Sequence, residues 1–151
     1  MKSLFLIGIV VFFFSHAYSV DKPPAQNTYV QFHVQVKQKS LSPGATGDLL
    51  ISLKPQEGIH INLQPAPDVR LDSASLVTLT GRLDAPRQSA ANYLDASMPI
   101  KQQFVVPKSA HPGTLAIRGT IIYYYCSDAD GWCSRFKQSF LIDLTVARSS
   151  Q

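Results

Sequence analysis

The feature that most constrains the fold is the alternation of apolar and polar residues in short runs. It is clearest between Thr28 and Lys37, where valine or phenylalanine occupies every second position. A period of two places these apolar side chains on one face of an extended strand and the polar ones on the other. No stretch repeats its apolar residues convincingly at helical spacing. The pattern therefore predicts an all-β protein.

Turn residues divide the chain into about eight such runs, the spacing typical of a sandwich of short strands. The sequence contains 10 prolines and 8 glycines, and Pro43-Gly44 and Pro112-Gly113 are typical turn signals. The longest stretch without a strand pattern is 85–97, which carries the isolated aromatic residue Tyr93. These features predict one immunoglobulin-like β-sandwich over residues 28–147, with a disulfide-bearing hairpin loop.

The N-terminus has the pattern of a secretory signal peptide. Lys2 precedes an apolar run, and small residues follow near Ala17 and Ser19, so cleavage is predicted to remove residues 1–19. A mobile leader over 20–27 and a disordered tail over 148–151 are expected to flank the domain. The protein is predicted to be periplasmic, an oxidising compartment in which disulfides persist.

Both cysteines lie in one short segment, from Cys126 to Cys133, between two alternating runs. Their spacing predicts a β-hairpin closed by a disulfide, with Cys126 on the polar face at the exposed end of its strand. The bond has two interpretations, a structural link or a redox-active couple. Asp128 and Asp130 also have two interpretations. Their carboxylates would disfavour a thiolate on a nearby cysteine. Alternatively they are simply turn residues, with Asp128 capping the turn and Gly131 supplying positive φ.

Aromatic residues flank the cysteines. Trp132 and the run Tyr123-Tyr124-Tyr125 either frame a pocket over the sulfurs or pack as ordinary strand residues. Three histidines and a methionine suggest a copper site only weakly, because they lack ligand spacing; they are His33, His60, His111 and Met98. No metal or other cofactor is predicted. The formal net charge is +4 without a basic cluster, which argues against nucleic acid as a partner.

With these residues in view, the chain resembles the N-terminal periplasmic domain of the DsbD family of thiol:disulfide interchange proteins. The resemblance spans Val30 to Val146. It rests on Gly58-Ile59-His60-Ile61-Asn62, on the turn at Pro112-Gly113-Thr114-Leu115 leading to Gly119, and on the strand that ends at Tyr125-Cys126. The chain departs from the family pattern by one extra residue between the cysteines.

The resemblance implies a cysteine pair that receives electrons from a membrane donor and passes them to periplasmic thioredoxin-like proteins or disulfide isomerases. Cys133 matches the cysteine that forms the mixed disulfide, and Cys126 the one that resolves it. In the family a cap loop with an aromatic residue shields the disulfide, and here Tyr93 in segment 85–97 matches it.

Two hypotheses from different classes follow. In the first, Cys126 and Cys133 form a reversible couple that makes the protein a thiol:disulfide oxidoreductase. Six residues would tune access and reactivity: Asp128, Asp130, Tyr124, Tyr125, Trp132 and Tyr93. In the second, the protein is a secreted sandwich that binds a protein partner, and its disulfide is purely structural.

Overall fold

The computed structural model describes residues 25–89 and 91–148. The predicted signal peptide, the first part of the leader and the last three residues of the predicted tail lie outside the described residues. The described part contains eight β-strands and no helix, which confirms the all-β class. It accordingly holds no helix that is long and apolar enough to cross a membrane. The strands are β1 (Val30–Val36), β2 (Thr46–Pro55), β3 (Ile59–Ile61), β4 (Asp68–Leu71), β5 (Thr78–Asp84), β6 (Ile100–Val105), β7 (Gly113–Ser127) and β8 (Trp132–Val146).

The strands form two antiparallel sheets. The first has the order β1-β2-β6-β5. The second is built around β7, which pairs with β8 along its whole length and with β3 and β4 on its other side. One buried cluster takes side chains from both sheets, as in an immunoglobulin-like sandwich. The predicted sandwich, with a disulfide in the hairpin between its last two strands, is confirmed.

The core consists of the apolar faces that the alternation of apolar and polar residues predicts. In β2, Leu49, Ile51 and Leu53 are at most 1% exposed, while the residues between them are half-buried. In β7 the predicted inward face is buried throughout: Leu115, Ile117, Ile121, Tyr123 and Tyr125. Burying aliphatic and aromatic side chains of this size stabilises a fold by roughly 1.5–3 kcal/mol each. This packing holds β7, and with it the cysteine hairpin, in place.

Tyr123 lies fully inside this core, and its hydroxyl accepts a hydrogen bond of 3.1 Å from Nδ2 of Asn27. Asn27 stands in the predicted leader, so this contact joins the leader to the domain. Burial raises the pKa of Tyr123 to about 12, because the phenolate would be desolvated; the bond from Asn27 opposes the shift and Tyr125 adds to it.

The raised pKa predicts an alkaline loss of stability. The unfolded chain releases this proton near pH 10.0, while the folded protein holds it until about pH 12. Stability contributed by Tyr123 is therefore complete below pH 10.0 and is lost as the pH rises towards 12. Absorbance titration at alkaline pH should show that Tyr123 ionises late. Tyr123→Phe should remove this late ionisation and should reduce the loss of stability between pH 10.0 and about pH 12. Retention of the late step in Tyr123→Phe would contradict the assignment.

Candidate functional site

The β7–β8 hairpin brings the two cysteines together. Cys126 and Cys133 are direct cross-strand partners, and their Cα atoms are 4.1 Å apart across the disulfide. Gly131 has φ of 67°, the left-handed conformation that glycine adopts readily, and its N–H donates to the carbonyl of Ser127 at 3.0 Å. The register of the two long strands therefore places the bond at the end of the sandwich.

Ser127 and Asp130 close the hairpin turn. The Ser127 hydroxyl donates to Oδ2 of Asp130 at 2.8 Å, and the Asp130 N–H donates back to that hydroxyl oxygen at 3.2 Å. Asp130 is thus the acidic residue whose hydrogen bonds stabilise the turn. The prediction that Asp128 caps it was wrong, because the Asp128 carboxylate instead faces His60.

The disulfide lies in an open cleft of about 370 Å³. Side chains from three places meet there: β3 and the residue after it, segment 85–97, and the hairpin. The lining residues are His60, Asn62, Tyr93, Cys126, Ser127, Asp128, Gly131, Trp132 and Cys133. Both cysteines thus line one depression of the surface.

The two cysteines differ in exposure. Cys133 is exposed, whereas Cys126 is only 4% exposed. The prediction that Cys126 lies on an exposed polar face was wrong. Asn62 and the disulfide partner lie against its sulfur, and Tyr93 lines the same cleft. An incoming thiolate therefore has better access to Cys133.

Asn62 makes a polar contact with the buried sulfur. Its Nδ2 donates to Sγ of Cys126 at 3.1 Å. Its backbone is held on both sides, since its N–H donates to the carbonyl of Tyr124 at 2.9 Å and it forms a β-bridge with Tyr93. The amide is accordingly aimed at the sulfur by the fold.

Tyr93 and His60 form a stacked pair at the rim of the cleft. Their ring centroids are 3.8 Å apart with an interplanar angle of 27°. Nδ1 of His60 lies 3.4 Å from Oδ2 of Asp128, a contact that is an ion pair when the imidazole is protonated. His60 thus connects the segment that carries Tyr93 to the hairpin that carries the disulfide.

Trp132 also lines the cleft and belongs to a cluster of three aromatic rings. Trp132 packs edge-on against Tyr125 at 5.7 Å and contacts Tyr29 at 5.2 Å. Tyr125 is buried, and neither Tyr124 nor Tyr125 is among the residues that line the cleft. Of the four aromatic residues predicted to tune the cysteine pair, Trp132 and Tyr93 line the cleft with the disulfide.

The sequence analysis gave neither His60 nor Asn62 a role at the disulfide: His60 entered as a weak copper-site candidate, and both residues entered within a motif. The motif held a usable signal, because alternation places both residues on one face of a short strand. Tyr29 was also missed, since it precedes β1 and its ring packs against Tyr125 and Trp132, which are distant in sequence. Within the described part of the chain, no group of three or more His, Cys, Asp or Glu side chains is arranged to hold a metal ion.

Comparisons with known proteins add little to this geometry. Neither the protein-family models nor the curated proteins give a match to the chain. Among solved structures, the GAE domain of yeast GGA1 is similar, with a TM-score of 0.44 and 17% sequence identity over 78% of this chain and 94% of that one. A similarity this distant carries no argument about function, so we infer function from the cleft alone.

Proposed function

We propose that this protein is a thiol:disulfide exchange protein that relays electrons through the Cys126–Cys133 disulfide. Its donor would be a membrane reductant, and its acceptors would be thioredoxin-like proteins or disulfide isomerases of the periplasm. One observation carries the proposal: an exposed and a buried sulfur share one bond in an open cleft. Exchange requires one sulfur open to attack and a second held ready to leave and return.

The reaction consists of two exchanges in each direction. A donor thiolate attacks Sγ of Cys133, the Cys133–Cys126 bond breaks, and Cys126 leaves as a thiolate. A second donor thiolate then attacks the donor sulfur of the mixed disulfide and releases Cys133 as a thiolate. The donor is now a disulfide, and two electrons have passed to the cysteine pair. Cys133 attacks the acceptor disulfide, and Cys126 resolves that mixed disulfide and restores the original bond.

The surrounding residues would control access and reactivity. The Asp128 carboxylate lines the cleft and opposes a second negative charge there, which would make the reduced pair a slow nucleophile until a partner docks. The stack of Tyr93 on His60 and the side chain of Trp132 line the cleft and would limit the approach of a partner. Asp130 acts on the pair through the turn that it shares with Ser127.

The second candidate is a protein-binding module with a structural disulfide. The low exposure of Cys126 favours it, since a bond between directly paired strands with one sulfur covered is typical of a structural link. The two candidates differ in whether the native bond can be reduced by a protein thiol.

Incubation of the oxidised protein with an excess of reduced thioredoxin tests the proposal. We expect both cysteines to become reduced within minutes without unfolding, seen as two additions of maleimide by mass spectrometry. Dithiothreitol at equal thiol concentration should act more slowly, because it makes no protein contacts at the cleft. A bond that resists thioredoxin for hours in the native state, yet is reduced after denaturation, would support the structural alternative.

A further inference from the structure

We propose that Asn62 is a catalytic residue of this exchange, whose side-chain N–H stabilises the thiolate that leaves at Cys126. The inference rests on the proposed function and assigns a role to a residue outside the cysteine pair. It starts from the 3.1 Å contact between Nδ2 of Asn62 and Sγ of Cys126.

The contact gains strength as the reaction proceeds. A disulfide sulfur is a weak hydrogen-bond acceptor, while a thiolate carries a full negative charge. Hydrogen bonds to charged groups are roughly twice as strong as neutral ones. When a donor thiolate attacks Cys133, the electron pair of the broken bond moves to Cys126, where the N–H already lies. An interaction that is stronger in the transition state than in the ground state accelerates the step.

The fold fixes the amide before the charge appears. The backbone of Asn62 is held by Tyr124 on one side and by the bridge to Tyr93 on the other. A thiolate can only accept hydrogen bonds, so the orientation that presents Nδ2 is the one that stabilises it. Little reorganisation is then needed during the reaction, which is the condition for a large electrostatic effect.

Burial makes this stabilisation necessary. Cys126 is 4% exposed, so water can solvate a charge on its sulfur only poorly. The titratable groups that line the cleft are His60 from β3, Tyr93 from segment 85–97 and Asp128 from the hairpin turn. The Asp128 carboxylate disfavours a thiolate, and no lysine or arginine is among the lining residues. A neutral donor therefore offsets part of the cost of the buried charge.

The test measures the Cys126 thiolate directly, in protein that carries Cys133→Ser. The thiolate absorbance near 240 nm is titrated with Asn62 intact, with Asn62→Leu and with Asn62→Asp. Asn62→Leu loses one charge-assisted hydrogen bond to the thiolate. Its titration midpoint should therefore move to higher pH by about one unit, a tenfold change in the ionisation constant of Cys126. Asn62→Asp should move it further, because a carboxylate would face the sulfur. If Asn62 had only a structural role, the midpoint of the thiolate titration would not rise from the parent to Asn62→Leu and then to Asn62→Asp.

Ser134→Ala is the control, since Ser134 is exposed on β8 next to Cys133 and is not among the residues that line the cleft. Its midpoint should stay at that of the parent. In the protein with both cysteines, Asn62→Leu should slow reduction by dithiothreitol about threefold, because a poorer leaving group departs more slowly. Thermal unfolding of each variant verifies that it is folded.

Unchanged midpoints in both Asn62 variants would overturn the inference, while exchange by the parent protein would leave the proposed function intact. Conversely, a parent disulfide that thioredoxin cannot reduce would overturn the proposed function. The titration of the single-cysteine protein would still decide whether Asn62 stabilises the thiolate. If Asn62→Leu does not fold, Asn62→Ala takes its place, because it also removes the N–H without adding a charge.

Discussion

We expect the free thiol of Cys133, in Cys126→Ser, to be alkylated at least about tenfold faster than that of Cys126 in Cys133→Ser, since thiol reactivity follows exposure as well as ionisation. Cys133 is exposed at the edge of the cleft, whereas Cys126 is 4% exposed and lies against Asn62. Iodoacetamide is small and uncharged, so its rate reports access to the sulfur without a contribution from partner recognition. Mass spectrometry of timed samples gives both rate constants.

The same two variants in concentrated urea provide the control. Unfolding should bring the two rates to within a few-fold of each other, because both thiols are then exposed and only the flanking charges differ, with Asp128 near Cys126 and Arg135 near Cys133. A native ratio near one would mean that either sulfur can be attacked, and the assignment of Cys133 as the entry point would fail. Faster reaction at Cys126 would reverse the assignment.

Gly119→Ala should destabilise the fold by about 1–3 kcal/mol, the typical cost of overpacking. A Cβ at Gly119 would lie 2.5 Å from the carbonyl oxygen of Arg70 and 2.8 Å from Cζ of Phe140. Arg70 lies on β4, paired with β7, and a backbone oxygen cannot turn away as a flexible side chain can. β4 would have to shift from β7. Urea denaturation monitored by circular dichroism measures the change.

Ser139→Ala is a suitable control for this variant, because Ser139 is exposed on β8 close to the same level of the sheet. It should change the free energy of unfolding by less than about 0.5 kcal/mol. If Gly119→Ala were as stable as the parent, β4 would not approach β7 as closely as the structure indicates. The cysteine hairpin would then depend less on this part of β7.

The strands were predictable because each carries its own pattern. Alternation in β1, β2 and β7 is local, and a core between two sheets is the way to bury such faces. Ends of strands were harder to predict. An apolar run begins at Leu76 in the sequence, yet Leu76 is 66% exposed and β5 begins at Thr78. An apolar residue that lies outside the core cannot be recognised from its neighbours alone.

The cleft was only partly predictable, because its parts come together across the sequence. The cysteines, Trp132 and Asp128 are close in the chain, and their grouping was visible. The burial of Cys126 was not, since it depends on Asn62, which lies 64 positions away. Strand parity reports which face a side chain is on, but not whether another element covers that face. The interactions of His60 with Tyr93 and Asp128 depend on the same packing.

The central claim is that the disulfide is a reversible couple, and its reduction potential tests this most directly. Trp132 is the only tryptophan of the chain and lines the cleft with both cysteines, so its fluorescence should report the state of the bond. The protein is equilibrated in glutathione or dithiothreitol buffers of graded potential, with Cys126→Ser as the control for effects of buffer. We predict a potential between roughly −120 and −270 mV, the range of exchange proteins. A value below about −300 mV is typical of structural disulfides and would contradict the electron-relay function.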